Sequence, residues 1–410
     1  MTRHDDTTDA QHATETGEQH TTSDTDEDPG FTVTPYAVSG TVDYDRLLEQ
    51  FGADRLTAEQ VDRFPDHQML RRGIYYAGRD VDPYLDAAEA GETHSIVTGI
   101  GPSGPMHIGH APVFYVAKRL QDATGAHVYI PLSDDEKYYS KDLTYPEIGE
   151  YTRQNLRDVL AVGFDPAKTT IVVDTADADV VYPLASAFAR HLTQATVDAT
   201  YGDPENVGLS FYPAVQTAHL LLPQLVHGAH PTLVPVAVDQ DPHVRVCRDV
   251  AAKERFPVRK PGALLGKFLP DLSGPGKMSS SADVPSITLD DDPETVRDTV
   301  LTHAFSGGRS SVEEHREHGG DPTVDVPFQL LRFFFEPDDE AVERLAREYR
   351  AGDLLSGELK ELAAGRITEF LAAHQERKAA LGPLEEELPA YRLGPAAKQT
   401  ALEAVGLDPI

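Results

Sequence analysis

Residues 95–112 read SIVTGIGPSGPMHIGHAP. A short β-like run, Ser95 to Ile100, ends in glycine. A helix starts close behind it, with Val113, Val116, Ala117 and Leu120 at helical spacing. Glycines at a strand-to-helix turn let a nucleotide approach the backbone, and the unbonded N–H groups of a helix start favour phosphate. His107 and His110, at i and i+3, are expected on one face of the first helical turn. From there both can donate hydrogen bonds to phosphate oxygens. Gly101, Ser103, Gly104 and Gly109 complete the candidate cradle. Taken alone, the pattern also fits a capped helix with ordinary surface histidines.

On both sides of this stretch the same alternation continues. HVYIPLSD, TTIVVD and TLVPVAVDQD read as further strands, separated by helical segments such as YPEIGEYTRQNLRDVLAV and YPLASAFARHLTQATV. Strands alternating with helices predict a parallel sheet, hence an α/β nucleotide-binding domain. After about Asp291 only amphipathic helical patterns remain, SGELKELAAGRITEFLAAHQERKAAL the longest. Four stretches are therefore expected. They are a disordered acidic tail at 1–30, an appended segment at 31–90, a Rossmann-like catalytic domain with a helical insertion at 91–290, and an all-α domain at 291–410. The tail holds nine Asp/Glu and almost no apolar side chains, too little to offset its ordering entropy. Its histidines, His4, His12 and His20, are expected to be solvated, and no metal site is predicted.

A second motif, GPGKMSSS at 274–281, closes the sheet region. Lys277 with Met278, Ser279 and Ser281, in a Gly/Ser loop, suits the pyrophosphate end of ATP, where charge peaks in the transition state. A bare linker would differ from it only by the Lys-Met pair. The two motifs stand in this order, His110 and Lys277 being 167 positions apart.

Together they resemble the HIGH and KMSKS signatures of class I aminoacyl-tRNA synthetases. Ser280 stands where the second lysine of KMSKS would be, leaving Lys277 as the motif's cation. Further blocks look like those of tryptophanyl-tRNA synthetases of the archaeal and eukaryotic branch: VDYDRLLEQFG, LRRGIYYAGRD, LSDDEKYYSKDLT, FYPAVQTAH, VDQDPHVRVCRDVA, and HAFSGGR with EEHREHGG. They cover residues from about 40 to about 378.

The resemblance implies a two-step reaction. A carboxylate attacks the α-phosphorus of ATP, with Mg2+ carried by the nucleotide, and the 2′-hydroxyl of the tRNA's terminal adenosine then takes the acyl group. Neither step needs a protein nucleophile; catalysis is positioning and stabilisation of phosphate charge. The resemblance assigns that work to His107, His110 and Lys277, places Gly99, Glu136, Gln216 and Gln240 around the amino acid, and implies tryptophan and its tRNA as substrates. It also implies an anticodon-binding role for the helical domain and a homodimer. Two positions depart from it: where eukaryotic members carry a Tyr and a Gln that bond the indole N–H, this chain has Val97 and Pro131. Other readings remain: a tyrosyl enzyme, a paralog with altered specificity or no catalysis, and a small-molecule nucleotidylyltransferase sharing the HxGH site.

Composition bounds the rest. The only cysteine, Cys247, rules out an internal disulfide and a Cys-based zinc site. No apolar run is long enough to span a membrane, and no secretory signal is recognisable, so a cytoplasmic enzyme is expected. Acidic residues outnumber basic ones 68 to 36, for a net charge of -32, and only 11 of the cations are Lys. Against this background Arg245 to Lys267 carries seven Lys/Arg and two Asp/Glu, a strip suited to tRNA or to a salt-laced helix.

So large a negative charge opposes folding through self-repulsion, except in molar salt, where the Debye length falls to roughly 3 Å. The composition thus predicts a halophilic protein, with a thermal midpoint higher in molar KCl than at about 0.1 M. Melts at the two concentrations check this; an equal or lower midpoint in high salt contradicts it.

Overall fold

A computed structural model describes residues 32–33, 38–39, 43–253, 255–277 and 284–407. The acidic tail and Met278, Ser279, Ser280 and Ser281 lie outside the described residues. The apolar runs meet in one seven-stranded sheet, made of β1 (Asp54–Arg55), β2 (Tyr75–Arg79), β3 (Ser95–Val97), β4 (His127–Leu132), β5 (Thr169–Val173), β6 (Thr232–Ala237) and β7 (Gly262–Gly266). Its order is β1-β2-β7-β6-β3-β4-β5. The five strands from β7 to β5 run parallel, with registers such as Val97↔Tyr129 and Pro131↔Val172. β2 joins antiparallel to β7, and β1 antiparallel to β2, so the segment before residue 90 contributes an edge of the same sheet.

The parallel strands lack polar alternation because both their faces are covered. On one face Ile96, Val128, Ile130 and Ile171 pack with Phe114 and Leu120 of α1 (Ala111–Thr124) and, beyond α2 (Asp134–Ser140), with Leu156 and Val159 of α3 (Tyr145–Ala161). On the other, Val97, Tyr129 and Val172 pack with Leu184 of α4 (Ala178–Ala189), Val215 of α5 (Val207–His227) and Val244 of α6 (Asp241–Ala251). The strand order reverses between β3 and β6. In open α/β sheets the crevice at such a switch, outside the carboxyl ends of the strands, is where ligands bind.

The helices after Asp291 share both cores. Leu359 and Ile367 of α7 (Ser356–Ala380) join the first, and Ala401 and Leu402 of α8 (Pro395–Ala404) the second. A buried polar knot fixes α7. Asp158 of α3 lies 3.1 Å from His374 Nε2 and 2.7 Å from Lys378 Nζ, while the hydroxyl of Tyr115 on α1 meets His374 Nδ1 at 2.8 Å. The C-terminal helix is held by Asp177, whose carboxylate takes Arg392 at 2.6 Å and Lys398 at 3.0 Å.

At the amino ends of the strands four histidines gather. His127 and His227 stack with ring centroids 4.3 Å apart, His230 Nε2 meets the Ser95 hydroxyl at 2.6 Å, and His94 Nδ1 meets the Glu92 carbonyl at 2.7 Å. Burial, then repulsion within the group, pulls His127 down to about 4; burial does the same for His230. Both are neutral in the fold but take a proton near pH 6.5 when unfolded. The unfolded chain therefore binds more protons between about pH 6.5 and 4, and stability falls as pH drops through that window. In molar KCl, denaturation midpoints should decline from pH 7 to 4.5, and less steeply in a His127→Gln/His230→Gln variant. Parallel pH profiles for the two proteins would remove these histidines from the account.

Candidate active site

The chain leaves β3 at Val97 and runs along the carboxyl end of β4, where Thr98 and Ile100 donate N–H bonds to the carbonyls of Tyr129 and Pro131 at 3.1 Å. Only glycine fits between them. A Cβ on Gly99 would lie 2.2 Å from the Pro131 carbonyl oxygen and 2.8 Å from its ring. A Cβ on Gly101 would lie 2.1 Å from Cε of Lys137. Gly104 is different: a Cβ there would meet nothing within 4 Å, while its carbonyl accepts a 2.9 Å bond from Asn155 on α3. The loop is therefore anchored from below, Ser103 closing a turn on the Gly101 carbonyl at 3.0 Å.

His107 and His110 do not lie on the first helical turn as the spacing predicts. They occupy the turn before it, closed by His110 N–H to the His107 carbonyl at 2.9 Å, and α1 begins at Ala111 with His110 as its cap. The reason is a competing strand pairing. His107 bridges to Thr288, with Ile108 N–H on the Ile287 carbonyl and Leu289 N–H on the Met106 carbonyl, both at 2.9 Å. The two rings still end up together, stacked with centroids 3.7 Å apart. Nδ1 of His107 accepts the Gly109 N–H at 3.1 Å, and Nδ1 of His110 accepts the His107 N–H at 3.3 Å. With Nδ1 an acceptor in each ring, the neutral imidazole carries its proton on Nε2, the tautomer that donates.

Lys277 ends a hairpin in which Pro270–Asp271 pairs with Gly274–Lys277. Ten residues later the chain enters the pairing with Met106–Ile108.

Of the residues expected around the amino acid, Glu136 lies at the start of α2 and Gln216 in the middle of α5. Glu136 is buried and its Oε2 sits 2.6 Å from Lys137 Nζ. Gln216 is half-buried and its side-chain amide donates to the hydroxyl of Tyr212, one turn earlier on α5. The charge of Glu136 acts on that hydroxyl, which burial already holds in its protonated form. Gln240 leaves the end of β6 with its amide on Asp239 at 3.0 Å, across the switch point from Gly99. Val97 and Pro131 are both buried on the sheet face turned to α5.

Beneath these residues lies a set of acids that sequence reasoning did not single out. Asp134 accepts the Thr175 N–H at 3.0 Å and Asp135 the Tyr182 hydroxyl at 2.8 Å, while Asp174, at the end of β5, faces Nε2 of His219 at 2.6 Å. Burial, then repulsion from Asp174, pushes Asp135 up to about 7, and burial raises Asp174 as well. The LSDDEK and FYPAVQTAH blocks contained Asp134, Asp135 and His219, but were read only for Glu136 and Gln216. In the basic strip, Arg245 and Arg248 are bound to Asp241 and Asp80, and Lys267 lies over Tyr44 and Tyr76. Lys253, Arg255, Arg259 and Lys260 remain exposed.

Comparison with known proteins identifies the family. The family described as tRNA synthetases class I (W and Y) matches residues 89–372. "Tryptophan--tRNA ligase 2" of Halobacterium salinarum is 68% identical over 378 residues, 92% of this chain and 98% of that one. The tryptophan–tRNA ligase of Sulfolobus acidocaldarius is 42% identical over 85% of this chain and 92% of its own. Among solved structures, the tryptophanyl-tRNA synthetase of Giardia lamblia superposes with a TM-score of 0.79 at 32% identity, covering 86% of this chain and 96% of that one. That of Aeropyrum pernix gives 0.76 at 30% identity, covering 88% and 96%. With the family matched over most of its length and whole-length relatives of one kind, the chain belongs to the class I tRNA synthetases of the W and Y family, on their tryptophanyl branch.

Proposed function

We propose that this protein activates tryptophan with ATP and transfers it to the matching tRNA. The observation that carries this reading is the backbone pairing of Met106–Ile108 with Ile287–Leu289, which holds the HIGH-type segment beside the end of the Lys277 loop. ATP enters with its Mg2+ as one substrate. His107 and His110 donate from Nε2 to the phosphate oxygens, and Lys277 meets the pyrophosphate as it leaves. Gly101, Ser103, Gly104 and Gly109 let the nucleotide lie against the backbone, and the resemblance adds Met278, Ser279 and Ser281 to the ATP-binding residues.

At the other end Glu136, Gln216 and Gln240 take the α-ammonium, and Gly99 lines the slot. Buried acid near Glu136 favours a cation, and N–H donors near His107 favour an anion, so the zwitterion and the triphosphate are drawn in head to head. No group has to form a bond to the substrate; the rate comes from positioning and from donors aimed at developing charge. The tRNA approaches through the exposed cations of the 253–260 segment and the helices after Asp291, which carry the anticodon contacts. A homodimer working in the cytoplasm is the expected form. Amino-acid-dependent ATP–pyrophosphate exchange in molar KCl, run with all twenty amino acids, should respond to tryptophan alone; a response to tyrosine instead moves the chain to the tyrosyl branch.

Lys277→Ala should slow adenylate formation by about two orders of magnitude or more and leave the Kd for tryptophan nearly unchanged, since the contact is made only in the transition state. Single-turnover rates beside equilibrium binding check this; a raised KM with normal turnover would place Lys277 outside the chemistry.

A further inference from the structure

His219 is a buried side chain near the amino acid that the activation chemistry leaves without a task. It lies on α5 one turn after Gln216 and is 2% exposed. Its Nε2 is bonded to Asp174, but its Nδ1, equally buried, has no hydrogen-bond partner. Leaving a buried polar atom unbonded is costly, and folded chains tolerate it where a ligand supplies the partner.

A chain of contacts locates this residue. Asp174, which holds the imidazole, donates its own N–H to the Leu132 carbonyl at 3.2 Å, next to Pro131. Pro131 closes on Gly99, and Val97 packs in one cluster with Tyr212 and Val215 of α5. Tyr212 bonds Gln216, so His219 stands where the carbon-lined positions Val97 and Pro131 meet the residues of the head group. The tautomer is also set. A neutral imidazole carries one proton, and Nε2, 2.6 Å from the Asp174 carboxyl oxygen, is where a hydrogen bond holds it. Burial keeps the ring neutral. Nδ1 is left as a lone-pair acceptor.

We propose that His219 is the specificity-determining residue of this site, its Nδ1 accepting the indole N–H while Asp174 fixes the tautomer. This rests on the tryptophan reading above. A site built to bond a substrate N–H discriminates against a ring that lacks it, because the acceptor then stays unpaired. The matched probe is benzothienylalanine, which has tryptophan's shape with sulfur in place of N–H.

In ATP–pyrophosphate exchange the parent should prefer tryptophan over this analogue by about thirtyfold in kcat/KM, the factor expected for one buried acceptor left unpaired. His219→Leu should lose roughly that factor with tryptophan and change by no more than about threefold with the analogue. A merely structural histidine would lower both alike, and an undiminished preference in His219→Leu overturns the inference. Because that variant strips Asp174 of its partner, a second measurement uses the intact protein. In nitrogen NMR of isotope-labelled histidine, the Nδ1 resonance should shift toward that of a hydrogen-bonded acceptor with tryptophan and stay put with benzothienylalanine. No shift with tryptophan overturns the proposal as well. A parent that shows no tryptophan-dependent exchange sinks the tryptophan reading, and this inference with it.

Discussion

Two main-chain hydrogen bonds, Ile108 to Ile287 and Leu289 to Met106, hold the site together. They join segments far apart in sequence, and they do so through backbone, so no side chain is used up in the process. Closing so long a loop costs entropy that the surrounding cores repay. Phe114 and Leu120 of α1 lie in the same apolar cluster as Ile287, Leu289 and Leu359. Once this pairing is made, only nine residues separate Lys277 from Ile287, a span of ten Cα–Cα steps and so of at most about 35 Å.

The pairing also explains the histidine geometry. Strand-like backbone at His107 prevents the helix from starting until Ala111, and the resulting turn puts two backbone N–H groups onto the ring Nδ1 atoms. Backbone N–H groups thereby set both imidazoles as donors. A carboxylate in that role would repel the phosphates; a peptide N–H does not.

The acids are kept at the other end of the crevice. Asp134, Asp135 and Glu136 occupy the first turn of α2, where the helix dipole favours negative charge, and they are buried despite it. So much buried carboxylate in one place cannot all ionise, which is why Asp135 rises and why hydroxyls of Thr175 and Tyr182 and the ring of His219 surround the group. The same separation recurs at larger scale. A net charge of -32 is spread over the chain, while Lys253, Arg255, Arg259 and Lys260 stay exposed together on one segment. In molar salt, counterion release adds little to tRNA affinity, and shape and base contacts carry more of it.

Much of this was legible in one dimension. The apolar runs 95–100, 127–132, 169–173 and 232–237 marked four strands of the parallel sheet, because strands buried on both faces have no polar alternation to hide them. The Gly-rich turn after β3 and the Lys277 motif were local patterns with local chemistry, and their order carried the family. Other features depended on partners distant in sequence. Gly262–Gly266, short and flanked by basic residues, is a strand only because β6 and β2 both bond it. The two histidines left the helix because Thr288 pairs with His107. Asp174 and His219 were an ordinary strand end and an ordinary helix position until the fold set them 2.6 Å apart and buried them. Sequence periodicity tells which side of an element is buried; what it is buried against, and so what a polar group there must do, is decided only when the elements pack.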